Sequence, residues 1–266
     1  MLLELQSVDD EAYGGKAREL GRALRAGLPV PPGWALSPEL VERVVRGDSA
    51  ARRQLLSAFE SLGPAAVRSS AVGEDAADAS FAGQHLSVLN VRDATGLLVA
   101  MANVYESGRS AAALAYRRRL GISAEPRMAV VLQALVPAES AGILFTRNPL
   151  SGADERVIEG AFGLGEAVVA GLVTPDRFRL ARGGTLLERA VGDKDLEIVW
   201  HPNGGTHELA LSAERSSQPC LTDWQLGELD ALATACEHAF PGPHDIEWAF
   251  ARGRLYLLQR RAITRG

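Results

Sequence analysis

The stretch that most constrains the fold is the C-terminal one: Asp245-Ile246-Glu247-Trp248-Ala249-Phe250-Ala251, then Arg252-Gly253-Arg254, then Leu255-Tyr256-Leu257-Leu258-Gln259-Arg260-Arg261. Two β-rich runs flanking a glycine predict a hairpin. A three-residue loop with Gly253 in the left-handed conformation pairs Ala251 with Leu255. The same register sets Glu247 opposite Gln259 and Asp245 opposite Arg261, all on one face. Ile246, Trp248, Phe250, Tyr256 and Leu258 then form an apolar second face. Carboxylate and amide oxygens are hard ligands that Mg²⁺ prefers, and arginine grips phosphate through paired hydrogen bonds. An ordinary hairpin with one solvated face fits the same pattern, with Asp245 and Arg261 as a surface ion pair worth under about 1 kcal/mol. The hairpin alone leaves both readings open.

Upstream, apolar periodicity predicts helices over 16–26, 50–62, 94–106, 109–120 and 222–239, with Ser37 capping a further helix that begins at Pro38. Short apolar, β-branched runs predict strands over 65–67, 86–91, 128–136, 141–145 and 157–160, and short strands alternate with glycines from 178 to 200. The expectation is a mixed α and β chain without internal repeats.

Composition excludes other classes. The 266 residues are 47% hydrophobic with net charge -5, enough for a substantial core. No basic block exceeds Arg117-Arg118-Arg119, which argues against nucleic acid. No apolar run approaches the roughly 20 residues of a membrane span, and the N-terminus does not read as a signal peptide. Cys220 and Cys236 lack metal-ligand spacing and suit a reducing, cytoplasmic setting. The five histidines form no zinc pattern, and no GxSxG elbow occurs.

Three further segments suit anion chemistry. Gly14-Gly15-Lys16 opens the first helix, where backbone N–H groups attract anions and Lys16 adds a point charge; taken alone, the segment reads first as a plain turn before a helix. Lys16 and Lys194 are the only lysines among 28 basic residues, so a lysine kept here favours a role for a compact ammonium. Arg68-Ser69-Ser70 ends a buried strand ahead of a loop of small residues, which suits phosphate or a simple connection. Glu159-Gly160-Ala161-Phe162-Gly163-Leu164-Gly165-Glu166 reads either as a loop near a ligand or as a glycine-rich strand-to-helix turn.

In order along the chain, several segments together resemble the nucleotide-binding domain of the phosphoenolpyruvate synthase, pyruvate phosphate dikinase and rifampin phosphotransferase family. They are Gly14-Gly15-Lys16-Ala17, Gly27 to Gly33, Val67 to Ala71, Glu74-Asp75 and Ala79 to Gln84. The series continues with Phe145 to Pro149, Gly163 to Glu166, Thr174-Pro175-Asp176, Asp245 to Ala249 and Leu258 to Arg261. The resemblance implies an α+β, ATP-grasp-like domain over 1–266, with approximate lobes 1–125 and 126–266 and ATP between them. It implies Lys16 and Arg68 on phosphates, Gly83 and Ser87 in a phosphate-covering loop, and Gln133 on the nucleotide. Glu247 and Gln259 would hold Mg²⁺, Arg261 would bind phosphate, and Asp245 would join the same site. Lys16, Arg68 and Arg261 are the implied catalytic cations.

In that family ATP gives its β-phosphoryl group to a histidine on a swivelling domain, leaving AMP and phosphate. Relative to the family, the segment from Pro32 to Arg68 is short and Ala262 replaces a proline. The sequence ends just past Arg261, and none of its histidines lies in the swivelling-domain setting. The expectation is therefore a dikinase-type phosphotransferase whose acceptor histidine sits on a separate partner. The alternatives are a stand-alone ATP-grasp enzyme acting on a small molecule, and a non-catalytic ATP-binding regulatory module.

Overall fold

The computed structural model describes residues 1–71, 86–119 and 126–263. These fall into two compact units, one of Met1–Leu24, Pro31–Leu135 and His201–Gly205, the other of Arg25–Val30, Val136–Trp200 and Thr206–Gly266.

The first unit is built on a five-stranded antiparallel sheet ordered β1-β2-β5-β3-β4, from β1 (Leu2–Glu4), β2 (Gly33–Leu36), β3 (Ala65–Ala71), β4 (Ser87–Val91) and β5 (Met128–Ala134). Strand alternation divides its two faces. Ala65, Val67, Met128, Val130 and Leu132 pack into a core with Leu40, Val41 and Val44 of α2 (Pro38–Val45), Leu55 and Phe59 of α3 (Ser49–Leu62), and Leu97, Met101 and Val104 of α4 (Ala94–Ser107). Ala66, Arg68, Ser70 and Gln133 point the other way. The Ser37 cap forms as expected, its Oγ accepting from the Leu40 backbone N–H at 3.4 Å with Pro38 at the first turn. α1 (Gly14–Arg25) and α5 (Ala111–Arg119) also belong to this unit.

A six-stranded antiparallel sheet organises the second unit, in the order β13-β12-β6-β7-β8-β9. Its strands are β6 (Ser140–Phe145), β7 (Glu155–Phe162), β8 (Asp176–Ala181), β9 (Leu186–Ala190), β12 (His244–Ala251) and β13 (Arg254–Ala262). One face buries Leu144, Ile158, Phe178, Ile246, Trp248 and Phe250 beneath α8 (Asp223–Ala239), whose Thr222 and Gln225 form a reciprocal capping box. That face also carries an ionic cluster. Arg156, fully buried, donates from Nε to Asp230 Oδ1 at 3.1 Å and from Nη1 to the Thr146 carbonyl at 2.8 Å, and its Nη1 lies 2.9 Å from Glu237 Oε1. Lys194 forms a fully buried ion pair with Asp176, which also accepts from the Gly192 and Cys220 backbones.

The hairpin β10 (Leu196–Trp200) and β11 (Thr206–Ala210), α6 (Glu166–Val169) and α7 (Ala213–Ser216) add local structure. Sequence reasoning missed β1, β11 and α7, which are three to five residues long and offer too few periods to read. In the glycine-rich segment, Glu159 to Phe162 continue β7, and the turn begins at Gly163 (φ 76°), where a side chain would strike the Ile198 carbonyl. The architecture is mixed α+β, as expected.

The hairpin register needs a correction. Arg252 and Gly253 both have positive φ, 50° and 68°, so the turn has two residues and Ala251 pairs with Arg254. A bulge at Leu258 then restores the expected pairs, Glu247 opposite Gln259 and Asp245 opposite Arg261. Because the register differs before the bulge, the fully buried residue facing Trp248 is Leu257, and Tyr256 and Leu258 are only half-buried.

Candidate functional site

In the first unit, the sheet face turned away from the helical core gathers polar groups. Arg68, 8% exposed, donates from Nη1 to Gln133 Oε1 at 3.2 Å, and Gln133 Nε2 donates to the Pro31 carbonyl at 3.2 Å. Ser87 sits opposite Arg68 across β3 and β4. Lys16, 7% exposed, donates from Nζ to the Ser69 carbonyl at 2.7 Å. Thus Lys16, Arg68, Gln133 and Ser87 share one region, and Gln133 holds the Arg68 guanidinium from behind.

The close seating of α1 explains how Lys16 gets there. Ser70 Oγ donates to the Tyr13 carbonyl at 2.8 Å and accepts from the Ala17 backbone N–H at 3.1 Å. Gly14, at φ 78°, lies where any side chain would collide with the Ser70 carbonyl. The glycine is what lets the helix start against β3. Gly83, and the segments Glu74-Asp75 and Ala79 to Gln84, lie outside the described residues.

The second unit carries Asp245, Glu247, Gln259 and Arg261 on the sheet face opposite α8. Alternation separates the two terminal arginines. Arg261 lies on this face, while Arg260 turns inward, stacks 3.9 Å over Phe240 and donates to His244 Nδ1 at 3.2 Å. Burial pushes the Asp245 carboxyl up to about 6, the nearby Glu247 charge adds to this, and Arg261 opposes it.

Two crowded carboxylates beside an amide oxygen form a hard donor set. Among the described residues no three His, Cys, Asp or Glu side chains gather to hold a metal. Mg²⁺ is commonly held by one or two carboxylates with phosphate and water completing the shell, so Glu247 and Gln259 fit such an ion and a cation there would offset the Asp245–Glu247 repulsion.

The same face extends across the sheet. Glu247 is in register with Ile143, Ile143 with Glu159, and Glu159 with Arg177. Sequence reading singled out Glu159 within its glycine-rich segment but missed Arg177. The signal was there: Arg177-Phe178-Arg179-Leu180 alternates charged with apolar residues, and in the strand Arg177 and Arg179 lie on the opposite face from Phe178.

A family profile described as the pyruvate phosphate dikinase AMP/ATP-binding domain matches residues 39–266. The chain belongs to this family. Rifampicin phosphotransferase of Streptomyces sviceus is 34% identical over 99% of this chain and 36% of its own length. A probable phosphoenolpyruvate synthase of Methanothermobacter thermautotrophicus is 33% identical over 98% of this chain and 45% of its own. Prodigiosin synthesizing transferase PigC of Serratia marcescens is 35% identical over 97% of this chain and 32% of its own. The dikinase-type domain described here therefore spans between about a third and under half of these relatives. A solved D-alanine–D-alanine ligase from Bacillus anthracis complexed with ATP is 11% identical over 97% of this chain and 57% of its own, at a TM-score of 0.41. No helix among the described residues is long and apolar enough to cross a membrane.

Proposed function

We propose that this domain binds Mg-ATP and passes a phosphoryl group from ATP to a histidine that lies outside the domain, with AMP and phosphate as products. The observation that carries the reading is the set Asp245, Glu247, Gln259 and Arg261 on one face of β12 and β13, in a chain of the dikinase AMP/ATP-binding family. Glu247 and Gln259 would hold Mg²⁺, with Asp245 beside them, and the ion would supply neutralisation of charge on the phosphate oxygens.

Lys16, Arg68 and Arg261 supply the remaining positive charge, and Gln133 keeps Arg68 aimed. Ser87 and Gly83 contribute to covering the phosphates. Phosphoryl transfer asks the protein for positioning and charge neutralisation more than for a nucleophile, which suits a site of cations and hard oxygens. In the transfer, a lone pair of the acceptor nitrogen forms the N–Pβ bond as the Pβ–O bond to AMP breaks. Water then takes the terminal phosphoryl group as phosphate, so ATP, water and imidazole become AMP, phosphate and phosphoimidazole.

The test is calorimetric titration with ATP, with and without Mg²⁺, on the protein and on Glu247→Ala, followed by product analysis. Mg²⁺-dependent binding lost in the variant, with AMP as product, is the expected result. ADP as product would point to direct transfer to a small molecule. Binding without turnover in the presence of any histidine-bearing protein would reduce the domain to a regulatory module. No ATP binding at all would end the proposal.

A further inference from the structure

Glu159 and Arg177 stand directly opposite each other on β7 and β8, on the face that carries Glu247. Opposite charges so placed normally close on each other. Here they do not: both are half-buried, neither has a hydrogen-bond or ion-pair partner among the described residues, and Arg177 Nε is buried without one. The neighbouring ionic groups are otherwise engaged. Glu155 is taken by Arg179 at 2.8 Å and by Asn148 at 2.7 Å, and Arg179 also reaches Glu188 at 2.8 Å. An unpaired buried guanidinium N–H is costly to keep, and a waiting ligand accounts for it.

The ligand's chemistry follows from the pair. It must offer a donor to Glu159 and an anionic acceptor to Arg177, with the two strands about 5 Å apart. Through Ile143, Glu159 stands two strands from Glu247, about 10 Å away. A lone phosphate satisfies Arg177 only and a ribose diol Glu159 only; a nucleotide, which carries both, is separated from the acceptor by the Mg-ATP titrations below. An imidazole ring with N–H on one nitrogen and a phosphoryl group on the other satisfies both.

We infer that Glu159 and Arg177 form the acceptor subsite, binding the histidine ring as it receives the phosphoryl group; this rests on the dikinase reading above. Glu159 accepts the N–H of the ring nitrogen that does not attack, which fixes the tautomer and leaves the other nitrogen's lone pair for phosphorus. The attacking nitrogen carries no proton, so the N–P bond forms without proton transfer and the ring becomes a cation. The Glu159 carboxylate offsets that charge, and Arg177 receives the oxygens of the transferred group.

The experiment titrates the protein with N-phosphoimidazole, imidazole and inorganic phosphate, following ³¹P and ¹H resonances, alongside Glu159→Gln and Arg177→Gln. Glu159→Gln should weaken N-phosphoimidazole about tenfold, equivalent to about 1.4 kcal/mol, and leave inorganic phosphate unchanged. Arg177→Gln should weaken both ligands, and Arg177→Lys should restore most of the phosphate binding. Mg-ATP titrations should be the same in all variants. If Glu159→Gln does not fold, Glu159→Asp, with its carboxylate drawn back by one methylene, should show the same selective loss. No saturable N-phosphoimidazole binding, or equal binding in every variant, overturns the subsite. If N-phosphoimidazole binds as expected but ATP does not, the nucleotide reading fails and the subsite stands as an imidazole-phosphate site.

Discussion

Glu247 faces Gln259 across two antiparallel strands although the turn joining those strands sets a register one residue out of step with that pairing. The two-residue turn alone would put Leu258 opposite Glu247. The bulge at Leu258 takes up the difference and turns the Gln259 amide onto the carboxylate face.

Replacing that amide by a third acid tests what the face is for. Gln259→Glu sets a like charge directly opposite Glu247 and close to Asp245, whose carboxyl is already pushed up to about 6 by burial and by Glu247. Without divalent cation, the variant should unfold about 1–2 kcal/mol more easily. Millimolar Mg²⁺ should recover that loss in urea titrations. Equal stabilities with and without Mg²⁺ would argue against a cation site here.

The turn itself can be improved. Arg252 holds φ 50°, a left-handed conformation that asparagine tolerates better. Arg252→Asn should stabilise the protein by about 0.5–1 kcal/mol without changing Mg-ATP affinity. A fall in the thermal midpoint would show that the Arg252 side chain has a role the turn geometry does not reveal.

Gly14 should tolerate almost nothing. A Cβ there collides with the Ser70 carbonyl and must also adopt φ 78°. Gly14→Ala should cost at least about 2 kcal/mol. Because the start of α1 is what brings Lys16 to the Ser69 carbonyl, ATP affinity should drop in parallel. Lys16→Met provides the contrast, with weakened ATP binding and a smaller change in unfolding midpoint.

Acid sensitivity should be traceable to the cluster beneath α8. Burial alone pushes the Glu237 carboxyl up, but hydrogen bonds from Arg182 and Arg156 outweigh it and hold the group down at about 2. Its folded value lies below the unfolded value of about 4.3. The stability it contributes is therefore full above that pH and lost as pH falls through about 2. Glu237→Gln should lose less stability than the unaltered protein between about pH 5 and pH 3. Identical pH slopes in urea midpoints would rule the cluster out as the source.

How far this was readable in the sequence differs by element. Long amphipathic segments such as α3 and α8 were legible because their apolar residues recur over several turns and their ends carry caps, Asp48 and Thr222. The opposition of Glu247 to Gln259 was legible as well, though through the wrong turn. Two errors of one residue, in loop length and in the missed bulge, cancel at that pair and fail at Tyr256, Leu257 and Leu258.

By itself the sequence determined the α+β class and the polar alternation along β12, and it marked out the residues proposed to meet phosphate and Mg²⁺. Those properties lie in local periodicity and residue chemistry, which a linear string preserves. Only the tertiary structure decided that Gln133 holds Arg68, that α1 seats Lys16 against β3, and that Glu159 and Arg177 face each other without a partner among the described residues, on the face bearing Glu247. Each of these depends on which strands become neighbours and in which register. That choice is made by burying whole sheet faces, Trp248, Phe178 and Ile158 on one and the Val67–Val130 layer on the other, and no local pattern encodes it.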